Sequence, residues 1–108
     1  MGIINFSYNW NNKLDCKSFT TLRLKSDKYL IGHDYEIILN IKKESKSFGV
    51  CKIEDIRIMR IEHLNEFIAR IDTGYSLEKC VNLIKTMYIN KNINWNTQEL
   101  NLILLTKI

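Results

Sequence analysis

Phe48-Gly-Val-Cys-Lys-Ile-Glu-Asp-Ile-Arg-Ile-Met-Arg-Ile, residues 48 to 61, is the stretch on which the fold turns. Apolar and polar side chains alternate along it, the period of a strand with one buried face. Val50, Ile53, Ile56, Ile58 and Ile61 change phase once, and a single extra residue in a ladder shifts a strand's faces in that way. The spacing therefore predicts a long strand divided by a bulge or bend, and bent long strands favour barrels over flat sheets.

Working back from this stretch, Glu44-Ser-Lys-Ser reads as a polar link, preceded by a strand from Tyr35 to Ile41 that ends near Lys42-Lys43. The two strands flanking that link form a hairpin. Tyr29-Leu-Ile-Gly-His-Asp reads as a turn with Gly32 at its bend. Residues 19 to 25, Phe-Thr-Thr-Leu-Arg-Leu-Lys, are β-branched or aromatic with partial alternation and predict another strand. Residues 7 to 16 carry Tyr8 or Trp10 and Leu14 at helical spacing, with Ser7 placed to cap a short helix.

Forward of Ile61 the period lengthens. Leu64, Phe67, Ile68 and Ile71 share one helical face, and Gly74 ends that helix. Ser76 starts a second helix with Leu77, Cys80, Val81, Ile84 and Tyr88 on its apolar side, fading into the asparagine-rich loop at 90 to 96. The last strand is Leu100 to Leu105, expected to pair with an early one. This order predicts an α+β fold, a small mixed β-barrel with flanking helices.

A chain of 108 residues, 45% hydrophobic and without proline, makes one domain spanning residues 1 to 108 and excludes a two-domain enzyme. No run of 18 apolar residues occurs, so no membrane contact is expected. The amino terminus lacks a basic segment followed by an apolar one, so a cytoplasmic location is expected. The cysteines at 16, 51 and 80 are odd in number and widely spaced, which argues against a disulfide framework or a zinc cluster and for reduced thiols. No cofactor or metal is expected. The formal charge of +4 is concentrated early: Lys13, Lys17, Arg23, Lys25 and Lys28 face only Asp15 and Asp27 within the first 30 residues. That local field suits a phosphate-bearing partner.

Two constellations carry chemistry. Lys13, Lys17, Thr20, Thr21 and Arg23 cluster on a turn entering a strand, where a desolvated lysine amine can take the proton of a threonine hydroxyl in acyl transfer. A solvated basic surface with strand-favouring threonines is the plainer account of the same residues. Asp72-Thr-Gly-Tyr-Ser places a carboxylate at a helix C-terminus, where the helix dipole disfavours it. Either a local turn through the following amides or pairing with Lys13, Lys17 or Arg23 explains that position. Trp10 and Tyr75 are further binding candidates, although both suit half-buried anchors better than stacking platforms.

Trp10-Asn-Asn-Lys-Leu, Phe19-Thr-Thr-Leu-Arg, Tyr29-Leu-Ile-Gly-His-Asp-Tyr, Gly49-Val-Cys-Lys-Ile and Ala69-Arg-Ile-Asp-Thr-Gly-Tyr-Ser through Met87-Tyr88 together resemble the ASCH domain, a PUA-like family. The resemblance implies a small PUA-like barrel whose cleft meets a nucleoside, a nucleotide or RNA. Some small bacterial members of the family hydrolyse acetylcytidine with a lysine, a threonine nucleophile and a carboxylate. Carried over, the catalytic positions are Lys17, Thr20, Thr21 and Asp72, with Lys13, Arg23, Trp10 and Tyr75 binding substrate. The family's lysine lies three residues before its threonine and five before its arginine. Here Lys17 is three before Thr20 but six before Arg23, so the amine comes from Lys17 or Lys13 and the hydroxyl from Thr20 or Thr21. Asp72 stands where the family has glutamate. The alternative function class is a non-catalytic module that binds RNA or another protein.

Overall fold

The computed structural model describes all 108 residues. Five strands, β1 (Gly2–Phe6), β2 (Ser18–Leu24), β3 (Asp34–Ile41), β4 (Glu44–Arg60) and β5 (Glu99–Lys107), pair in one mixed sheet in the order β1-β3-β4-β5-β2. Two α-helices, α1 (Glu66–Thr73) and α2 (Leu77–Met87), separate β4 from β5. Neither is long and apolar enough to cross a membrane.

β4 is the spine. Its first part pairs antiparallel with β3 and its second part with β5, while Cys51 and Lys52 pair with both. Between Ile53 and Asp55 it carries one residue more than β5, so Glu54 is the bulge that the phase change predicts. A second irregularity, against β3 around Phe48 and Gly49, bends the strand again. The first four residues of β4, read as a link from their polarity, belong to the strand. Lys42, at φ 58°, lets the chain reverse within Lys42-Lys43, and Ser45 then pairs with Asn40. Ladder hydrogen bonds come from the backbone, and both faces at this tip are exposed, so no apolar pattern marks it.

The core lies on two sides of the sheet. Ile4 and Phe6 of β1, Phe19 of β2, Tyr35, Ile37 and Leu39 of β3, Cys51 and Ile53 of β4, and Ile103 and Leu105 of β5 bury one face together. The alternate residues Leu22 and Leu100 bury the other face against Leu64, Ala69, Cys80 and Ile84, which fixes the helices there. Asn65 caps α1 by accepting from the Ile68 amide, and Ser76 caps α2 by accepting from the Lys79 amide.

The expected barrel is not closed. β1 and β2 are the two outer strands and share no ladder. The sheet nevertheless curls until they meet through side chains. The Phe6 and Phe19 rings lie edge to face with centroids 6.1 Å apart, and Arg23 Nη2 donates to the Asn5 carbonyl at 2.6 Å. β1 itself escapes the sequence reading because its five residues form a strand only by parallel pairing with β3, a partner about thirty residues away.

The segment before β2 is also reshaped. Residues Trp10–Asp15 form 3₁₀ turns interrupted by Asn11 and Asn12, both left-handed, in place of a helix capped at Ser7. Asparagine tolerates that conformation because its short amide can bond locally. Gly74, the α1 C-cap at φ 80°, receives the Asn11 side chain so closely that an added Cβ would lie 3.2 Å from Asn11 Cγ. Gly32 has a similar φ of 83° but open space where its Cβ would be. Gly74→Ala is therefore expected to cost about 2 kcal/mol, and Gly32→Ala only about 1 kcal/mol, from backbone strain alone. Urea titration of both variants compares the two losses.

Candidate functional site

Where the seam between β1 and β2 stays open, a cavity of about 230 Å³ forms. Phe6, Trp10, Leu83, Ile84, Met87 and Tyr88 supply its apolar wall. Lys13, Thr21, Arg23 and Asp72 supply its chemistry, with Asn5 and Asn40 at the β1–β3 side.

Lys13 and Asp72 are each 5% exposed. The Asn11-Asn12 turn and the Gly74 contact deliver Lys13 to the end of α1, where Nζ donates to the Asp72 carbonyl at 2.8 Å and to its Oδ1 at 3.1 Å. The same Oδ1 accepts from Thr20 Oγ1 at 2.9 Å. The carboxylate at the helix C-terminus is thus explained by pairing, with Lys13 as its cation. Burial pulls the Lys13 ammonium below its ordinary pKa of 10.5, opposed by the Asp72 charge and hydrogen bond and aided by Arg23. Beside this pair, burial pushes the Cys80 thiol up, and the Asp72 charge adds to the effect.

Adjacent threonines on a strand point to opposite faces. Thr21 is the one that lines the cavity, and its Oγ1 accepts from Arg23 Nε at 3.1 Å. Thr20 faces the groove between α1 and the sheet and touches the cavity only through Asp72. The Arg23 guanidinium also lies 4.6 Å from the Phe6 ring centroid, which fixes its plane.

Of the eight residues singled out by sequence, Lys13, Thr21, Arg23, Asp72 and Trp10 line one cavity. Lys17 does not: its side chain is exposed, and its backbone carbonyl is used by the ladder to Lys107. Tyr75 is exposed beyond the end of α1 and lines none of this wall. The sequence reading missed Asn5 and Phe6, which reach the cavity from β1, Asn40, which reaches it from β3, and Met87 and Leu83, which reach it from α2. Tyr88, read as core, has its hydroxyl pushed up by burial and partly held back by Arg23 and the Leu24 backbone. No group of histidine, cysteine and acidic side chains is placed to hold a metal ion.

No protein family, curated protein or solved structure matches this chain.

Removing one partner of a buried ion pair strands the other. Lys13→Met is expected to lose about 3 to 5 kcal/mol, and Lys13→Met with Asp72→Asn to recover most of it, both read by urea unfolding. The unfolded lysine holds its proton up to about 10.5, whereas the folded one releases it earlier. Between those midpoints the unfolded chain binds more protons, so the stability contributed by Lys13 rises with pH across that window. Cys51, Cys80 and Tyr88, all raised, act in the opposite sense. The difference between wild type and Lys13→Met at neutral and alkaline pH isolates the lysine, and it is expected to widen as pH rises.

Proposed function

We propose that the cavity binds a nucleoside-sized planar amide and hydrolyses it, with an acetylcytidine-type compound as the substrate class. What carries this reading is the convergence of a buried lysine, a threonine bonded to an arginine, and a carboxylate on one half-open, aromatic-walled cavity. In its neutral form the Lys13 amine keeps both N–H bonds to Asp72 and turns its lone pair to the cavity. That amine takes the Thr21 proton, and the alkoxide, already receiving the Arg23 Nε–H, attacks the acetyl carbonyl. Arg23 Nη1, which has no partner in the resting protein, stabilises the oxyanion. The Lys13 ammonium then returns its proton to the departing amine. Water, deprotonated by the same lysine, adds to the acyl-threonine carbonyl; the adduct breaks its bond to Thr21 Oγ1 and releases acetate, and the Lys13 ammonium gives its proton back to the Thr21 oxygen.

The open-seamed sheet with helices on one face is consistent with a relative of the PUA-like barrels to which the ASCH resemblance points. The three unpaired cysteines suit the reducing cytoplasm. The runner-up is a non-catalytic module using the same cavity.

Cytidine released from acetylcytidine, followed chromatographically, tests the reading. Thr21→Ala is expected to lower kcat by about a thousandfold or more with little change in fold, and Thr20→Ala by much less. Binding without cytidine release, unaltered by Thr21→Ala, would move the protein to the non-catalytic class.

A further inference from the structure

Thr21, Leu22 and Arg23 are consecutive on β2, and all three line the cavity. Side chains on a strand alternate, and Leu22 turns its own toward the helices, with Leu100 and Ile84. Ile84 lines the cavity too, so the cavity wraps the edge of the strand from one face to the other, and the Leu22 backbone lies on that edge.

The ladder fixes which backbone groups face that edge. In an antiparallel pair, alternate residues exchange both hydrogen bonds with the partner strand, and the residues between them turn both groups outward. The Lys17 carbonyl accepts from the Lys107 amide, and the Lys25 amide donates to the Glu99 carbonyl. The register runs without a break between them. Residues 19, 21 and 23 thus bond to β5, and Thr20, Leu22 and Leu24 turn N–H and C=O away from it. Ser18 and Thr106 confirm the parity, since their hydroxyls meet at 2.9 Å as side chains of a close, non-bonded pair do. No strand lies beyond β2, and the Tyr88 hydroxyl sits at the Leu24 backbone. Leu22 is left with an unpaired N–H and C=O at the cavity.

We propose that the free edge of β2 at Leu22 is the specificity element of the cavity. Its N–H donates to a ring acceptor, and its C=O accepts from the adjacent exocyclic or ring N–H of a planar heterocycle. The ligand class is an aminopyrimidine or lactam carrying a neighbouring donor and acceptor on one edge. A single extended residue pairs with such an edge as it would with another strand. Unpaired polar groups at the wall of a largely apolar cavity penalise a ligand that leaves them unsatisfied. Arg23 and Thr21, on the face beside this edge, then meet substituents attached to the ring. This inference rests on the cavity being the ligand site and adds which atoms of the ligand are read there.

The test uses the intact protein labelled with ¹⁵N, with cytidine, acetylcytidine and N4,N4-dimethylcytidine as probes. In the free protein the Leu22 amide is expected to exchange with solvent faster than those of Thr21 and Arg23. Cytidine or acetylcytidine is expected to shift the Leu22 resonance and slow its exchange, and dimethylation to weaken binding by about tenfold or more. Binding that leaves Leu22 exchange unchanged, or is indifferent to dimethylation, overturns this proposal and leaves the cavity as the ligand site. Failure of every probe to bind overturns both.

Discussion

The buried contact between Lys13 and Asp72 holds the molecule's least regular parts in place. It joins a segment with two left-handed asparagines to the last turn of a two-turn helix, neither of which has much stability of its own. Taking both charges out of water is costly, and three hydrogen bonds offset it: from the amine to the Asp72 carbonyl and to Oδ1, and from the Thr20 hydroxyl to the same Oδ1. Such a pair positions more than it stabilises. It sets where the 3₁₀ segment rests, hence where Trp10 and Leu14 meet the core and how the open seam is roofed.

The seam follows from competing demands on the two outer strands. A closed ladder between β1 and β2 would satisfy their backbones but leave no room for Arg23, whose guanidinium bridges Thr21, the Asn5 carbonyl and the Phe6 ring. With side chains holding the edges together, backbone groups face a half-open hollow, sheltered from the edge-to-edge pairing that bare strands invite. The groove on the far side of β2 ends at Thr20, so one carboxylate oxygen is contacted by Thr20 from that groove and by Lys13 from the cavity.

Much of this was legible in residue order. The phase change after Ile53, the Gly74 stop, the Ser76 cap and the closing strand are local signals backed by local physics, and each is present. Asp72 was legible as an anomaly, a carboxylate on the wrong end of a helix dipole. Three features were not legible because they depend on distant partners. β1 exists through its pairing with β3, the start of β4 through a hairpin ladder indifferent to polarity, and the choice of Lys13 over Lys17 through the Asn11 contact with Gly74. Which threonine meets the cavity is a matter of strand parity, and parity is set by a partner some eighty residues away.

That last separation has a temporal meaning. During synthesis, the strand that holds β2 emerges only some eighty residues after it, with Ser18 aligned to Thr106. Until then the wall bearing Thr21 and Arg23 has no ladder at all, since its other edge is the open one. β1, β3 and the start of β4 can assemble beforehand from nearer contacts. The cavity therefore takes its shape after those strands, and a nascent chain still lacking β5 carries Thr21 and Arg23 without the ladder that aligns them with Lys13 and Asp72.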